Sequence, residues 1–260
     1  MLHLVLGTDW KRNRDTILNR IAKDVANCRE NIVLIVPELI SHDTERRLCA
    51  AAGDAASRYA EVLSFSRLAL RVADSIGCAV EDCLDNGGRV VAMAAAARML
   101  ASRLKAYASV ESKPEFLTGL VDAVDEFKRC CISAADLRFA AEQSEGSLAQ
   151  KLEELSLLLE SYDSLCAQGK RDPRDRMSWL LEQMECFGYG TEHVFYIDGF
   201  PDFTRQHMAI LEHLICVCPH VTVSLNCDRV DSSAMAFEKA GQTASELLRI
   251  ARRLGIEVVI

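Results

Sequence analysis

The sequence is poor in the residues that build flexible linkers. Its 260 residues include only 13 glycines and 5 prolines, whereas linkers and disordered segments are rich in these residues. No apolar run approaches the roughly 20 residues that span a bilayer, and the N-terminus has no apolar signal core followed by a cleavage site. We therefore expect a folded, cytoplasmic protein that makes no membrane contact.

Positive charge is also in short supply. The formal net charge is −8 at pH 7, whereas proteins that bind nucleic acid by themselves are more often basic. This acidic balance argues against a free-standing nucleic-acid binder. It leaves open a DNA contact that is made locally or as part of a larger complex.

Cysteine is abundant, but paired metal-ligand spacing is missing. Among the eleven cysteines, one group resembles a set of metal ligands, namely Cys216 and Cys218 with His220 and Cys227. Zinc sites usually show two closely spaced ligand pairs, and the second pair is absent from this group. We therefore predict buried free cysteines in a reducing cytosol and no metal site.

Hydrophobic periodicity divides the chain into three segments. Residues 1–77 and 188–260 alternate short apolar runs with amphipathic helices, which is typical of a parallel sheet flanked by helices. Residues 78–187 show helical stripes and no convincing strand, as in helix bundles. The pattern predicts one α/β domain built from the outer segments, with an all-helical insertion between them. The predicted strands are Leu2–Leu6, Ile32–Val36, Glu61–Leu63, Val194–Ile197, Val221–Leu225 and Gly255–Ile260.

Two loops of this α/β pattern predict a nucleotide site. The strand Val194–Ile197 delivers Asp198 to the C-terminal edge of the sheet, where an aspartate holds the Mg²⁺ of a nucleotide in P-loop NTPases. The first strand leads into Gly7–Arg14, but only Gly7 matches the phosphate-binding template G-x-x-x-x-G-K-[ST]. The candidate nucleotide-binding residues of this degenerate site are Gly7, Thr8, Lys11 and Asp198.

These residues also have simpler interpretations. Asp198 is compatible with a turn or helix cap, or with a vestigial position near an ancestral cleft. Lys11 replaces the phosphate-loop lysine only if the loop happens to place it there. A tethered cation on the loop that contains Trp10 is the favoured interpretation of Lys11.

Three segments together resemble a known family. They are Ile35–Glu38, Val62–Ala69 and Tyr196–Phe200, the last followed by Phe203 and Thr204. In order and spacing they resemble the N-terminal region of AddB in AddAB-type helicase–nucleases, over nearly the whole chain. The resemblance implies a P-loop NTPase (RecA-like) parallel sheet, as in superfamily 1 helicases. It also implies a parent complex that is an ATP-dependent helicase and exodeoxyribonuclease and processes DNA double-strand breaks for recombinational repair.

The resemblance implies roles for particular residues. Ser64 and Phe65 match a motif near the single-stranded DNA path, and Asp198 matches the metal-binding aspartate. Because the loops after parallel strands emerge on one edge, we expect Ser64, Phe65 and Arg67 to contact a single strand at a broken DNA end. For Phe65, core packing at the start of a helix is the alternative. The implied partners are AddA, the other member of the heterodimer, and DNA; ATP and Mg²⁺ are implied for the parent complex but not for this chain.

Two departures from the family pattern affect the predicted activity. Arg12-Asn13-Arg14 replaces Gly-Lys-Ser/Thr, and Gly199 replaces the glutamate that activates water in active motors. We therefore predict that the chain has no catalytic residue, does not hydrolyse ATP alone, and acts as a scaffold and DNA-contacting domain. The alternative is an independent cytoplasmic α/β protein that binds a nucleotide or phosphorylated ligand as a switch. Since the chain stops inside a predicted strand, we also expect it to be part of a longer protein.

Overall fold

The computed structural model describes residues 1–53, 55–78, 83–108, 113–232 and 234–260. The chain divides into two compact units. The first unit combines Met1–Cys78 with Met177–Ile260, and the second is Ala79–Arg176. Within the described residues, no helix has the length and apolar character needed to cross a membrane.

The first unit is built on a six-stranded, all-parallel sheet. Its strands are β1 (Leu2–Leu6), β2 (Ile32–Ile35), β3 (Ala60–Leu63), β4 (Val194–Ile197), β5 (His220–Leu225) and β6 (Val258–Val259). They are arranged in the order β3-β2-β4-β5-β1-β6, and every neighbouring pair is parallel. The predicted α/β class is confirmed, and the architecture is consistent with a RecA-like fold.

Helices connect the strands and form the second unit. They are α1 (Trp10–Ala26), α2 (Ser41–Ala52), α3 (Ala56–Tyr59), α4 (Phe65–Ile76), α5 (Asn86–Met99), α6 (Pro114–Arg129), α7 (Ala134–Glu142), α8 (Gly146–Gln168), α9 (Arg176–Phe187), α10 (Arg205–Val217) and α11 (Glu238–Leu254). Short 3₁₀ turns at Glu38–Ile40 and Pro173–Asp175 precede α2 and α9.

The central strands are buried on both faces, which explains their unbroken apolar sequences. All four residues of β4 are buried, and successive side chains of a strand point to opposite faces of the sheet. Phe195 packs in one core with Leu211 of α10, whereas Tyr196 packs in the other core with Ile17 of α1. Each face of the sheet is therefore covered by its own layer of helices.

The register of the strands brings several loops to one edge of the sheet. Leu6 of β1 pairs with Leu225 of β5, and Ile197 of β4 pairs with Val223 of β5. The loops that follow β1, β4 and β5 consequently emerge side by side. From β1 the chain continues to β2 on one side, while β6 lies on the other side. Open parallel sheets bind ligands outside the strand ends at such a change of direction.

Helix α9 packs with the sheet, although its sequence lies inside the segment 78–187 that we expected to form the helical insertion. Leu180 and Met184 of this helix are fully buried in the core of the sheet. The division between the two units falls at Arg176. Hydrophobic periodicity identifies a helix, but it does not reveal which core the apolar face of that helix joins.

The last strand is shorter than the predicted Gly255–Ile260. Only Val258 and Val259 pair with β1. Gly255 has a φ of +67° and forms the left-handed cap of α11. Glycine adopts this conformation without the steric penalty of a Cβ atom. This residue therefore terminates the helix rather than starting the strand.

The described part of the second unit is a packed set of helices. α5, α6 and α8 share a core that includes Met93, Leu120 and Leu158. Buried Arg89 forms ion pairs with the carboxylates of Asp125 and Asp172, which supplies the partners that a buried cation requires. This network links α5 and α6 to the segment that precedes α9.

Candidate functional site

The loop after β1 supplies its own anion to the N-terminus of α1. The first backbone N–H groups of a helix form a natural binding site for phosphate. In this protein the Asp9 carboxylate accepts hydrogen bonds from the N–H groups of Lys11, at 2.9 Å, and Arg12, at 3.4 Å. The capping carboxylate therefore occupies donors that a nucleotide phosphate would need.

Asn13 fills the space above the start of the same loop. It stands at the template position of the phosphate-binding lysine, and its side chain is buried. Its Nδ2 donates to the carbonyl oxygens of Gly7, at 2.9 Å, and Leu225, at 3.2 Å. A Cβ atom on Gly7 would collide with the Asn13 Oδ1. The amide thus closes the loop from within.

Arg14 and Asp198 form a buried ion pair between α1 and the end of β4. The Arg14 Nε donates to the Asp198 Oδ2 at 2.8 Å, and the two side chains are only 7% and 5% exposed. The template places a Mg²⁺-binding Ser/Thr at position 14, and the family pattern gives Asp198 the same ligand role. In this chain, a guanidinium neutralises the aspartate from the position of a metal ligand.

Gly199 closes the position of the water-activating base. Its φ is +82°, and a Cβ atom there would lie 2.8 Å from the Ile40 Cδ1 and 2.9 Å from the Arg14 Nη2. A side chain at this position would therefore be strained by its backbone conformation, and the ends of the Ile40 and Arg14 side chains would have to shift. The backbone conformation thus disfavours a glutamate here.

The structure separates the four predicted nucleotide-binding residues. Gly7 contacts Asn13, and Asp198 contacts Arg14. These two side chains fill the loop Gly7–Arg14, which we call the closed loop. The backbone oxygen of Thr8 accepts from Asn226 in the amide orientation that satisfies both groups. Lys11 is exposed, and its Nζ lies 5.6 Å from the centre of the Trp10 ring. This position agrees with the tethered-cation interpretation of Lys11.

From the sequence, Arg12, Asn13 and Arg14 indicate only that the glycine, lysine and Ser/Thr of the phosphate-binding template are missing. The structure shows that Asn13 and Arg14 fill the site, and that Asn226, after β5, holds the loop. The role of Asn13 could have been predicted from its position in the template. The role of Asn226 could not, because it depends on the order of the strands in the sheet.

A cavity of about 240 Å³ remains beside the closed loop. Its wall includes the ion pair of Arg14 and Asp198, and it extends to aromatic residues on the loops after β1 and β4. These residues are Trp10, which is 48% exposed, and the partly buried Phe200.

Two of the predicted DNA-contacting residues have structural roles. The Ser64 Oγ accepts from the backbone N–H of Arg67 and so caps α4, and its hydroxyl also donates to Glu38. Phe65 is only 4% exposed, and its ring stacks on His207 with a centroid distance of 4.3 Å. This geometry supports the core-packing alternative for Phe65, and its DNA contact stays a prediction.

Arg67 lies away from the closed loop. It is exposed, and it lines a separate cavity of about 360 Å³ along the outer side of β3, together with Glu61 and Arg71. Glu61 and Arg71 pair with each other at 2.6 Å. The Arg67 guanidinium forms no hydrogen bond with the described residues, so it is available to an external anion.

His207 is uncharged at neutral pH. Burial lowers the pKa of His207 to about 4, because a charged imidazole loses its hydration in this position. The ring therefore contributes stacking against Phe65 and no electrostatic attraction for phosphate.

The cysteine group singled out in the sequence has no metal-binding geometry. Within the described ranges, no cluster of three or more His, Cys, Asp or Glu side chains is arranged to hold a metal ion. All eleven cysteines lie within the described residues and none is in a disulfide, but only Cys166, Cys218 and Cys227 are buried and six are exposed, so the prediction of buried thiols is wrong for most of them. Burial raises the pKa of Cys218 to about 12, which keeps its thiol protonated and unreactive.

Comparison with known proteins gives a consistent family match. Residues 4–260 match the family described as ADDB, N-terminal. Relatives whose names give them as the B subunit of an ATP-dependent helicase/deoxyribonuclease include proteins of Anoxybacillus flavithermus, 27% identical over 87% of this chain and 20% of the relative, and Thermoanaerobacter sp. (strain X514), 30% identical over 84% and 19%. The protein of Clostridium perfringens with the same name is 25% identical over 98% of this chain and 22% of its own length. The chain thus spans about a fifth of the length of these relatives.

Breaking the Arg14–Asp198 pair should destabilise the first unit strongly. Arg14→Ala or Asp198→Ala leaves one buried charge without its partner, and we expect each to lower the free energy of unfolding by about 3–5 kcal/mol. The double variant should lose less than the sum, because the interaction is already absent from each single variant. Urea unfolding measures all three.

The exposed pair of Arg47 and Asp43, 2.7 Å apart with side chains 48% and 57% exposed, is the matched control. Replacing Arg47 or Asp43 by alanine should lower the free energy of unfolding by less than about 1 kcal/mol. Strict additivity of the Arg14 and Asp198 substitutions would contradict the coupling.

Stability should fall in acid because of His207. The folded state depresses the pKa of this imidazole from 6.5 to about 4, so the unfolded state binds the proton first as the pH falls. The stabilisation is present above pH 6.5 and is lost toward pH 4, by roughly 3 kcal/mol. His207→Phe keeps a flat ring against Phe65 and should remove this loss.

Urea unfolding of both proteins between pH 7 and pH 4.5 measures the effect. His193, whose pKa burial also lowers, is present in both proteins, so the difference between them isolates His207. Parallel pH profiles for the two proteins would show that His207 does not cause the loss.

Proposed function

The chain belongs to the AddB N-terminal family, and we propose that it forms the helicase-like, DNA-contacting domain of a helicase/deoxyribonuclease without being a motor itself. The observation that carries this proposal is the buried pair of Arg14 and Asp198. In a motor, the residues at the equivalent positions bind Mg²⁺. In this chain, the two side chains form an ion pair with each other instead.

The closed loop removes the three requirements of ATP hydrolysis. Phosphoryl transfer to water needs phosphate donors, Mg²⁺ and an oriented nucleophile. Asp9 and Asn13 occupy the phosphate-binding loop, and Arg14 takes the position of a metal ligand. Gly199 carries no side chain to act as a base, and its φ of +82° disfavours a glutamate there. The fold keeps the shape of a motor domain while its reaction centre is filled by protein.

We propose that a partner protein supplies the motor activity. The relatives are named as one lettered subunit of their enzyme, which implies at least one further subunit. We assign ATP hydrolysis with Mg²⁺ to that partner, AddA. The whole complex would process DNA double-strand breaks for recombinational repair. This chain would contribute a rigid sheet whose loops guide the DNA.

The DNA contact is proposed for the edge of the sheet from which the loops after β1, β2, β3 and β4 emerge. Arg67 offers a guanidinium without a hydrogen-bonding partner among the described residues. Leu39 and Trp10 expose 98% and 48% of their surface there, and an exposed aromatic ring such as that of Trp10 can stack on an unpaired base. Because the net charge is −8, we expect binding by the chain alone to be weak and salt-dependent.

The alternative function as a nucleotide-responsive switch has less support. A switch must bind its ligand differently in two states. The side chains of Asp9, Asn13 and Arg14 already occupy the groups that a phosphate would bind. The geometry therefore favours a domain whose shape is independent of nucleotide.

We expect the chain by itself to show no hydrolysis of MgATP above background. The reason is that phosphate positioning and water activation are both missing. Release of inorganic phosphate, followed over time, measures the rate. A steady rate that is abolished by Asp198→Ala would overturn the proposal, whereas weak nucleotide binding without turnover would be compatible with it.

Arg67→Ala should weaken single-stranded DNA binding by the assembled complex. The slope of log K against log salt concentration is negative, and the loss of one phosphate contact should make it shallower by about 0.7. Fluorescence anisotropy of a labelled oligonucleotide at several salt concentrations measures both the affinity and the slope.

Arg138→Ala is the matched control, because Arg138 is a similarly exposed arginine that pairs with Glu160 in the second unit. This control should change neither quantity. Equal affinities and slopes for the Arg67 variant and the unaltered complex would remove Arg67 from the DNA path.

A further inference from the structure

The cavity beside the closed loop is smaller than a typical pocket for a whole small-molecule ligand. Its volume is about 240 Å³, below the roughly 300–1,000 Å³ of sites that enclose drug-sized molecules. A complete nucleoside triphosphate would also need the loop that Asn13 and Arg14 fill. The cavity therefore suits a single flat ring system rather than a whole nucleotide.

Arg14 presents unused donors to this cavity. Its Nε donates to Asp198, and its two terminal Nη groups form no hydrogen bond with the described residues. The side chain is only 7% exposed, and it forms part of the cavity wall. The Nη groups keep some contact with solvent, and a ligand that displaced this solvent would have to accept their hydrogen bonds. The guanidinium thus points to a ligand that carries a hydrogen-bond acceptor.

The charge of the site favours a neutral acceptor over a phosphate. The Arg14 cation is already balanced by Asp198, so the pair carries no net charge. Asp9 occupies N–H groups at the N-terminus of α1. A phosphate in the cavity would meet the Asp198 carboxylate in the wall, and Lys11, whose Nζ lies over Trp10, is not part of that wall. A ring carbonyl or ring nitrogen can accept from the Nη groups without adding charge.

The remaining walls suit an aromatic ring. Trp10 and Phe200 both line the cavity, and Trp10 is 48% exposed. Aromatic side chains hold single-stranded nucleic acid by stacking on successive bases, and arginine N–H groups bind the acceptors on base edges. Asn226, on the loop after β5, adds an amide to the wall.

We propose that this cavity binds one unpaired base of single-stranded DNA, held by the Arg14 guanidinium and the rings of Trp10 and Phe200. The proposal rests on the proposed function, because it requires a strand to pass this edge of the sheet. A degenerate nucleotide site would then serve as a base pocket. The base replaces the nucleotide, and no phosphate is bound at the loop.

The test measures binding of the assembled complex to a labelled single-stranded oligonucleotide, and to the same strand with abasic sites that keep the sugar–phosphate backbone. Trp10→Ala should lower affinity for the normal strand by at least about fivefold, the smaller effect seen when a stacking residue is removed. The salt slope should stay unchanged, because no phosphate contact is lost. The abasic strand should bind both proteins equally.

Two variants control for other causes, and a third tests the guanidinium. Trp10→Phe keeps an aromatic face and should retain affinity within about twofold, since base stacking tolerates different rings. Phe187→Ala removes an aromatic side chain that is 60% exposed and lies outside the cavity wall, and it should change nothing. Arg14→Lys keeps a cation beside Asp198 but loses the forked donors, and it should weaken binding of the normal strand only.

The outcomes separate this inference from the proposed function. If Arg67→Ala weakens binding and Trp10→Ala does not, the base pocket is wrong and the DNA-contacting role stands. If neither variant matters, the DNA role of this edge fails as well. A reduced salt slope for Trp10→Ala would identify a phosphate contact and overturn the base pocket. Displacement of the oligonucleotide by an equal concentration of free deoxynucleosides would identify a nucleoside site and overturn it too.

Discussion

The buried ion pair between Arg14 and Asp198 is the constraint on which the functional edge of the sheet depends. Two charges held at 2.8 Å with almost no solvent exposure stabilise each other, and removing either leaves an uncompensated charge. The pair joins the first turns of α1 to the end of β4. The guanidinium neutralises Asp198, which opposes binding of a divalent cation at this position.

Three other features complete the closed loop beside this pair. The φ of residue 199 is +82°, and a Cβ atom there would lie 2.9 Å from the Arg14 Nη2, so glycine is favoured at this position. Asn13 holds the oxygens of Gly7 and Leu225, which fixes α1 against the ends of β1 and β5. Asp9 completes the closure at the N-terminus of the helix. The phosphate-binding part of the site is thus filled by its own chain.

Such a site suits a protein that holds DNA while its partner moves it. A motor domain changes shape as nucleotide binds and leaves, whereas a domain with a permanently filled site keeps one geometry. In the proposed complex, this chain would present a constant surface to the strand throughout the ATP cycle of its partner. The small cavity beside Trp10 would then be a fixed feature of that surface.

The sequence by itself determined the all-parallel α/β class, most of the strands, and the loss of the phosphate loop, because these follow from local periodicity and motif spacing. Tertiary structure alone decided what replaced the lost motif. Arg14 and Asp198 are 184 residues apart, and only the pairing of β4 between β2 and β5 brings them together. Likewise, the burial of Phe65 depends on His207 from α10, and the assignment of α9 to the sheet depends on which core its apolar face meets. Contacts of this kind are set by strand order and packing between distant elements, which local sequence patterns do not encode.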